Sequence, residues 1–339
     1  MHLRQLVCTD AFAGVERYVT YVSVELARRG HQVEVIGGDP LRMRAALDPA
    51  GVVHVAGSRV GAVSRAAARL PRPDVVHAHM TAADVAAVLG RPLTRRPVVS
   101  TLHFAHRRGH SPATRTLYRA LRPFITAEVA ISDYVAQMAG GDPVVIPNGI
   151  PDITVARSDG SGRTVLVVQR LEREKDTATA LRAWHRAALR HDGWSLQVLG
   201  SGVERDSLES LVADLDLSAS VQFLGSVDDV AARLGAASLL LATAPAEPFG
   251  LAVVEAMAAG LPVVAADGGA HRETIGPASP DTLFAPGDEV AAARLLDGLA
   301  ADPARRAALG GAGRARFEAE YTVERHVDRL EALYERVAR

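Results

Sequence analysis

Short apolar runs alternate with amphipathic stretches along the first 150 residues of the chain. The apolar runs predict six β-strands, over residues 3–8, 32–36, 74–77, 97–102, 127–131 and 144–146. Such nearly continuous runs are typical of parallel strands that are buried on both faces. Helical periodicity lies between them, as over residues 14–29, 58–70 and 111–121. This alternation predicts βα units that form a doubly wound parallel sheet.

The same pattern starts again after a polar segment rich in glycine and serine, residues 157–163, which is typical of a linker. Strands are predicted over 164–168, 195–199, 220–223, 238–242 and 262–265, and helices over 175–190, 204–215, 250–259, 303–319 and 323–337. We therefore expect an α/β protein of two similar domains, residues 1–150 and 151–320, facing each other across a cleft. Ligands of open parallel sheets bind at the carboxyl ends of the strands, so the cleft is the expected site.

The composition excludes several classes of protein. With 48% hydrophobic and 23% charged residues among 339, the chain has ordinary globular composition and is not intrinsically disordered. Its one cysteine, Cys8, excludes an intrachain disulfide and a cysteine zinc site. No apolar run approaches the roughly 20 residues of a membrane span, and the first residues lack the apolar region of a signal peptide. We expect a soluble, cytoplasmic protein.

The strongest chemical pattern lies between Glu247 and Glu255. Glu247 falls in the loop after a predicted strand, Gly250 opens a helix, and Glu255 follows within that helix. A helix N-terminus offers free N–H groups and a positive dipole end, which suits a diphosphate. Carboxylates accept hydrogen bonds from vicinal hydroxyls, so two of them beside a phosphate site indicate a nucleotide sugar.

This segment closely resembles the signature of the retaining glycosyltransferases of family four, which have the GT-B fold. The resemblance rests on Glu247-Pro248-Phe249-Gly250-Leu251, on Glu255, on the run over 259–265, on Asp267-Gly268-Gly269 with 272–275, and on the segments 283–288 and 145–150. It implies two Rossmann-like domains, with the C-terminal helix, about 321–339, crossing back onto the first.

The resemblance also implies roles for residues of the second domain. Glu247 binds hydroxyls of the donor sugar, Glu255 binds the ribose, and the backbone N–H groups of Phe249, Gly250 and Leu251 hold the donor phosphates. The base lies near Val227.

A second implied element is a pair of cations. Arg170 and Lys175 follow a buried strand in a segment that resembles the family's Gly-Arg-Leu…Lys-Gly, with Gln169 and Asp176 in place of glycines. All but one of the 38 basic residues are arginines, and the exception is Lys175. An unpaired cation pair at a strand end can offset the charge of a departing diphosphate without a metal.

In the first domain the resemblance points to Gly14, Arg17 and His103. Gly14 opens a helix after the first strand and lets a ligand approach the backbone, although Ala13 replaces the family's first glycine. Arg17 is expected to brace the cleft or to meet the acceptor. His103 is expected to contact the donor sugar near the reacting centre.

Five histidines between residues 77 and 110 raise a metal site as an alternative. His77 and His79 share a strand face, but no acidic or other third ligand is evident beside them. The family usually needs no divalent metal, so we expect no metal and no other cofactor.

Positive charge is concentrated in the first domain. Residues 1–150 contain 18 basic and 11 acidic residues, whereas the remainder contains 20 and 28. The basic residues include Arg107, beside His106 in a predicted loop, and arginines at 59, 65, 69, 72, 115, 119 and 122. Three interpretations stay open, namely solvated helix faces, an anionic membrane surface, and an acidic or phosphorylated acceptor, for which Arg17, His106 and Arg107 are the candidates. Nucleic acid is not expected, because no aromatic residues interleave with the charges.

The resemblance, taken together with these patterns, implies a metal-independent retaining hexosyltransferase. It would use a UDP- or GDP-linked sugar as cosubstrate and a small-molecule or lipid-linked acceptor. Another GT-B enzyme, such as a nucleotide-sugar epimerase or a sugar phosphorylase, and a non-catalytic nucleotide-sugar binder are the alternatives. A nicotinamide-dependent oxidoreductase is disfavoured, since no Gly-x-Gly-x-x-Gly follows a strand.

Overall fold

A computed structural model describes residues 1–105, 112–155 and 162–339 of the chain. The chain divides into two compact units. Unit 1 consists of Met1–Pro151 together with Glu320–Arg339, and unit 2 consists of Asp152–Ala319. Each unit contains one parallel sheet, so the predicted pair of doubly wound α/β folds is confirmed.

Unit 1 is built on a seven-stranded sheet of order β3-β2-β1-β4-β5-β6-β7, in which every pairing is parallel. The strands are β1 His2–Val7, β2 Gln32–Ile36, β3 Val53–Val55, β4 Val75–His79, β5 Val98–Leu102, β6 Ala127–Ala130 and β7 Val144–Val145. The helices are α1 Gly14–Arg28, α2 Pro40–Leu47, α3 Val60–Arg69, α4 Thr81–Thr94, α5 Pro112–Leu121 and α6 Asp133–Ala139.

The sheet of unit 1 is buried on both faces. Leu3 and Leu6 of β1 belong to two different apolar clusters, because successive side chains of a strand point to opposite faces. The Leu3 cluster includes residues of α1 and α2, and the Leu6 cluster includes residues of α3 and α4. This burial explains why the strands read as continuous apolar runs.

Unit 2 repeats this architecture with six parallel strands in the order β10-β9-β8-β11-β12-β13. The strands are β8 Thr164–Val168, β9 Ser195–Leu199, β10 Val221–Gly225, β11 Leu239–Ala242, β12 Val263–Ala266 and β13 Leu283–Phe284. The helices are α7 Thr177–Arg186, α8 Arg205–Asp214, α9 Val230–Ala236, α10 Leu251–Ala258, α11 His271–Ile275, α12 Glu289–Ala301 and α13 Pro303–Glu320.

The last helix, α14 (Val323–Ala338), belongs to unit 1. Its backbone joins Ile150 directly, since Val323 N–H donates to Ile150 O at 2.9 Å and Ile150 N–H donates to Tyr321 O at 3.0 Å. A Cβ on Gly149 would lie 2.4 Å from Thr322 O, so only glycine permits this approach. The buried side chains of α14, including Leu330 and Tyr334, complete the Leu3 cluster.

Two predictions about secondary structure need correction. The sequence did not indicate β3, because this edge strand has only three residues and contains a histidine. The continuous helix predicted over 175–190 is wrong. Lys175 ends a 3₁₀ turn, Asp176 takes a φ of +49°, and the Asp176 carboxylate caps α7 by accepting from Thr179 N–H. A second 3₁₀ turn, Ala188–His191, follows α7.

Most of the predicted linker over 157–163 lies outside the described residues. Among the described helices, none combines the length and the apolar character needed to cross a bilayer.

Candidate active site

The carboxyl edge of the unit 2 sheet brings together two of the predicted site residues. The strand order reverses between β8 and β11, and such a switch point leaves a crevice at the carboxyl ends of the strands. Lys175 lies in the connection after β8, and Glu247 lies in the connection after β11. The topology therefore places both residues at the same edge of the sheet, although 72 positions separate them.

Lys175 and Glu247 form a close ion pair. The distance between Lys175 Nζ and Glu247 Oε2 is 2.6 Å, and their side chains are 16% and 15% exposed. The backbone carbonyl of Lys175 accepts hydrogen bonds from Gln169 Nε2 at 3.2 Å and from Thr243 Oγ1 at 3.1 Å. Gln169, which replaces a glycine of the motif that this segment resembles, thus fixes the turn that carries the lysine.

Arg170, unlike Lys175, lies at the surface of unit 2. Its guanidinium is 59% exposed and pairs with the Glu174 carboxylate at 2.7 Å. The prediction of an unpaired cation pair is therefore wrong, because Arg170 and Lys175 each have a carboxylate partner. Glu174 lies four residues further along the chain from Arg170, whereas Glu247 lies in the connection that follows the neighbouring strand β11.

Gly250 caps the N-terminus of α10 with a φ of +91°. A Cβ at this position would lie 3.3 Å from His271 Cδ2 and 3.5 Å from Glu247 Cγ, so glycine keeps open the space beside both side chains. The first N–H groups of a helix have no partner within the helix and suit an anion. Phe249 is buried, and its carbonyl accepts from Thr274 Oγ1 at 3.1 Å. Leu251 is the first residue of α10.

The Gly-Gly segment after β12 holds the backbone of Glu247. A Cβ on Gly268 would lie 2.1 Å from Pro245 O, and one on Gly269 would lie 2.2 Å from Glu247 O. Ala270 N–H donates to Glu247 O at 2.8 Å. Glycines at both positions therefore let the two loops meet, and this contact sets where the Glu247 carboxylate lies.

His271 is a residue of this site that the sequence patterns did not single out. Its side chain is 1% exposed, and its Nδ1–H donates to Ala266 O at 2.9 Å. Burial lowers the pKa of His271, and the charge of Glu247 opposes this effect. The one feature of the sequence that could have identified His271 is its position two residues after Gly269.

The remaining predicted donor residues lie at other points of unit 2. Glu255 is a nearly buried residue of α10, and its backbone carbonyl accepts from Ala259 N–H at 3.0 Å. Val227 is half-buried in the connection that follows β10. Their predicted contacts with ribose and base remain predictions.

In unit 1, the connection after β1 leads into the exposed Gly14, the first residue of α1. The Glu16 carboxylate braces this turn by accepting from Ala13 N–H at 2.9 Å and from Thr9 Oγ1 at 2.7 Å. Arg17 donates to the Tyr21 hydroxyl at 3.0 Å. His106 and Arg107 lie outside the described residues.

His103 follows β5 directly and is 8% exposed. Gln5 Oε1 accepts from His79 Nε2–H at 2.8 Å, so His79 Nδ1 accepts from His103 Nε2–H at 3.1 Å. Burial, with a smaller effect of His326, lowers the pKa of His103 to about 3. The ring is therefore neutral at pH 7, with Nδ1 as its hydrogen-bond acceptor.

Two further histidines lie in the same buried cluster of unit 1. His77 contacts the Tyr334 hydroxyl at 2.6 Å and Thr101 Oγ1 at 2.7 Å. His326 Nδ1–H donates to Pro147 O at 2.6 Å, and its Nε2 accepts from the Tyr18 hydroxyl at 2.8 Å. Within the described residues, no three or more histidine, cysteine or acidic side chains are arranged to hold a metal ion.

Comparisons with known proteins assign the family. The model "Glycosyltransferase Family 4" matches residues 12–152, and the model "Glycosyl transferases group 1" matches residues 152–316. Phosphatidyl-myo-inositol mannosyltransferase of Mycobacterium tuberculosis is 31% identical over 87% of this chain and 86% of its own length. Glycogen synthase of the same organism is 27% identical over 91% and 87%.

Solved structures share the fold over nearly the whole length. Anabaena HepE in complex with UDP and glucose superposes with a TM-score of 0.84 at 22% identity, over 99% of each chain. Sucrose-phosphate synthase of Thermosynechococcus elongatus superposes with a TM-score of 0.79 at 22% identity, also over 99% of each chain. The two parallel sheets are those of a GT-B glycosyltransferase. This chain therefore belongs to the group 1 glycosyl transferases of glycosyltransferase family 4.

Proposed function

We propose that this glycosyltransferase moves a hexosyl group from a nucleoside-diphosphate sugar to an acceptor hydroxyl with retention of the anomeric configuration. The observation that carries the proposal is the Lys175–Glu247 ion pair beside Gly250, at the N-terminus of α10. An ammonium, a carboxylate and a helix N-terminus are the groups that a diphosphate bound to a sugar requires.

Each group has a distinct task in the proposed reaction. The first N–H groups of α10 and the Lys175 ammonium bind the diphosphate and stabilise the charge that grows on it as the glycosidic C–O bond breaks. Glu247 accepts hydrogen bonds from hydroxyls of the sugar. No divalent metal is required in this scheme, because protein groups supply the positive charge.

The acceptor hydroxyl attacks from the face that the diphosphate leaves. Its proton passes to the departing phosphate oxygen, so the sugar keeps its anomeric configuration and no protein base takes the proton. Neutral His103, held by His79, is proposed to accept a hydrogen bond from the sugar near the reacting carbon.

The comparisons support the classes of donor and acceptor. HepE has been solved with UDP-glucose, and the mycobacterial relative is named for a phosphatidyl-myo-inositol acceptor and a mannosyl product. A lipid-borne acceptor would bring the enzyme to a membrane. In unit 1 the apolar side chains of Leu117 and Phe124 are exposed, and the exposed Arg119 belongs to the same segment of the chain. Exposed apolar and basic side chains suit an anionic lipid surface.

The first test is thermal unfolding with UDP, GDP, ADP, dTDP and NAD at matched concentrations, with EDTA present. A ligand that binds only the folded state raises the transition temperature. We expect one nucleoside diphosphate to raise it selectively, and a shift with NAD alone would contradict the proposal. The matching nucleotide sugar should then give a product whose anomeric proton, observed by NMR, reports retention, whereas inversion would contradict the mechanism.

The membrane contact is tested by flotation with vesicles. Vesicles that contain anionic lipid should bind the protein, and a Leu117→Ser/Phe124→Ser variant should bind less well. Equal binding of this variant would contradict the assignment of the surface.

A further inference from the structure

His271 is buried in unit 2 beside the proposed donor site, and the proposed function gives it no task. It follows the Gly-Gly segment and begins α11. Its Nδ1–H donates to Ala266 O at 2.9 Å, and this hydrogen bond fixes the orientation of the ring and its tautomer. Nε2 therefore carries the lone pair of the neutral ring. Among the described residues, Nε2 has no hydrogen-bond partner.

The free edge of the ring faces the N-terminus of α10. Cδ2 and Nε2 are the ring atoms nearest to the position of a Cβ on Gly250, at 3.3 and 3.5 Å, and Glu247 Cγ lies 3.5 Å from the same point. Two hydrogen-bond acceptors, an imidazole nitrogen and a carboxylate, thus flank the space that the absent side chain of Gly250 leaves open.

These two acceptors, His271 Nε2 and the Glu247 carboxylate, favour a hydroxyl over a phosphate as their ligand. A lone pair on Nε2 beside a carboxylate repels a phosphate oxygen, whereas both groups accept hydrogen bonds from hydroxyls. The Lys175 ammonium, 2.6 Å from Glu247 Oε2, can donate to the same hydroxyl groups. Neighbouring hydroxyls on one ring are the feature that distinguishes a sugar from the diphosphate to which it is linked.

We propose that His271 Nε2 accepts a hydrogen bond from a hydroxyl of the transferred sugar, next to the hydroxyl that Glu247 binds, and so helps to determine which sugar is used. This inference rests on the proposed function and adds a specificity-determining residue to it. A polar group placed to bind a hydroxyl discriminates against sugars that lack this hydroxyl, because the group is then left unpaired.

The testing variant is His271→Asn. The asparagine amide can keep the donation to Ala266 O, while it removes the acceptor at the Nε2 position. Calorimetry should measure the binding of UDP-glucose and UDP, and of GDP-mannose and GDP, to the unmodified protein and to the variant. We expect the variant to bind the preferred nucleotide sugar about 3- to 10-fold more weakly and the nucleoside diphosphate with unchanged affinity.

The outcomes are distinguishable. Equal weakening for the sugar nucleotide and the diphosphate, or no change for either, would overturn the role of His271. If the unmodified protein bound no nucleoside diphosphate in the unfolding test described above, the proposed function itself would fail.

The first arm of a second measurement uses the unmodified protein alone, and absence of the expected penalty there would overturn the proposal. Monodeoxy analogues of the preferred donor should reveal one hydroxyl beside the Glu247 contact whose removal weakens binding to the unmodified protein by the same 3- to 10-fold. In the His271→Asn protein this penalty should vanish. Its persistence there would also overturn the proposal.

Discussion

Lys175 is the residue on which the proposed chemistry depends most. In an arginine-rich chain it alone presents a compact ammonium, and the 2.6 Å contact with Glu247 holds that ammonium at the carboxyl edge of the unit 2 sheet. Arginine has a planar guanidinium with a different geometry, so it does not substitute for an ammonium at a tight site. Arg170, exposed and paired with Glu174, is less constrained.

At the residue scale, Lys175→Ala should lower the turnover of sugar transfer by about 100- to 1,000-fold, because the charge of the departing diphosphate loses its closest cation. Lys175→Arg should not restore it. Steady-state kinetics with the preferred donor measures the effect, and Arg173→Ala, a change at an exposed neighbouring residue, is the matched control. Undiminished turnover in Lys175→Ala would remove the lysine from the phosphate site.

At the scale of elements, the site is assembled by loops that follow β8, β11 and β12. Two of these loops meet only because glycine occupies the contact, with Gly269 at a φ of +61° and its Cβ position 2.2 Å from Glu247 O. The resulting hydrogen bond from Ala270 N–H fixes the Glu247 backbone just before α10 begins. The position of the carboxylate therefore depends on the Gly-Gly segment as well as on its own loop.

The element-scale prediction compares two glycines with positive φ. Gly269→Ala should destabilise the protein by about 2–5 kcal/mol, from backbone strain and a clash that displaces the Glu247 loop, and should weaken donor binding. Gly287→Ala is the matched control, since φ is +80° and nothing lies within 4 Å of its Cβ position. It should cost about 1–2 kcal/mol and leave donor binding intact. Urea unfolding and calorimetry measure both effects, and equal losses in the two variants would contradict the clash.

At the scale of the whole molecule, more of the described buried histidines with a lowered pKa lie in unit 1 than in unit 2, where His271 is one. Unit 1 encloses His77, His103 and His326, whose pKa values burial lowers to about 3, 3 and 4 from 6.5. The folded state therefore binds protons less readily than the unfolded state. This contribution to stability is fully present above pH 6.5 and is lost as the pH falls toward 4, by up to about 1.4 kcal/mol per group and pH unit.

Acid should accordingly unfold unit 1 first. Both tryptophans, Trp184 and Trp194, lie buried in unit 2, so their fluorescence reports that unit, whereas far-ultraviolet circular dichroism reports both. In a titration from pH 7.5 to pH 4, the loss of circular dichroism should begin at a higher pH than the shift of tryptophan emission. Coincident transitions, or an earlier change in fluorescence, would contradict the prediction.

The sequence by itself determined the secondary structure, the parallel sheets and the segments that carry the chemistry. Periodicity depends on neighbouring residues, so most strands were predicted to within two residues. The glycine of α10, the carboxylates at 247 and 255 and the single lysine could be identified because each belongs to a short local pattern. The interruption of the helix at Asp176 could not be predicted from the sequence, since the side-chain cap at this residue overrode the apolar periodicity.

Only the tertiary structure decided which side chains meet. Lys175 contacts Glu247, 72 positions away in the chain, and Tyr18 contacts His326, 308 positions away. The fold, rather than any local pattern, brings these side chains together. The same holds for the position of the His271 ring beside Gly250, which lies in another segment at the N-terminus of α10. Hydrogen bonds and ion pairs act over a few ångströms, and folding alone brings residues distant in the chain within that range.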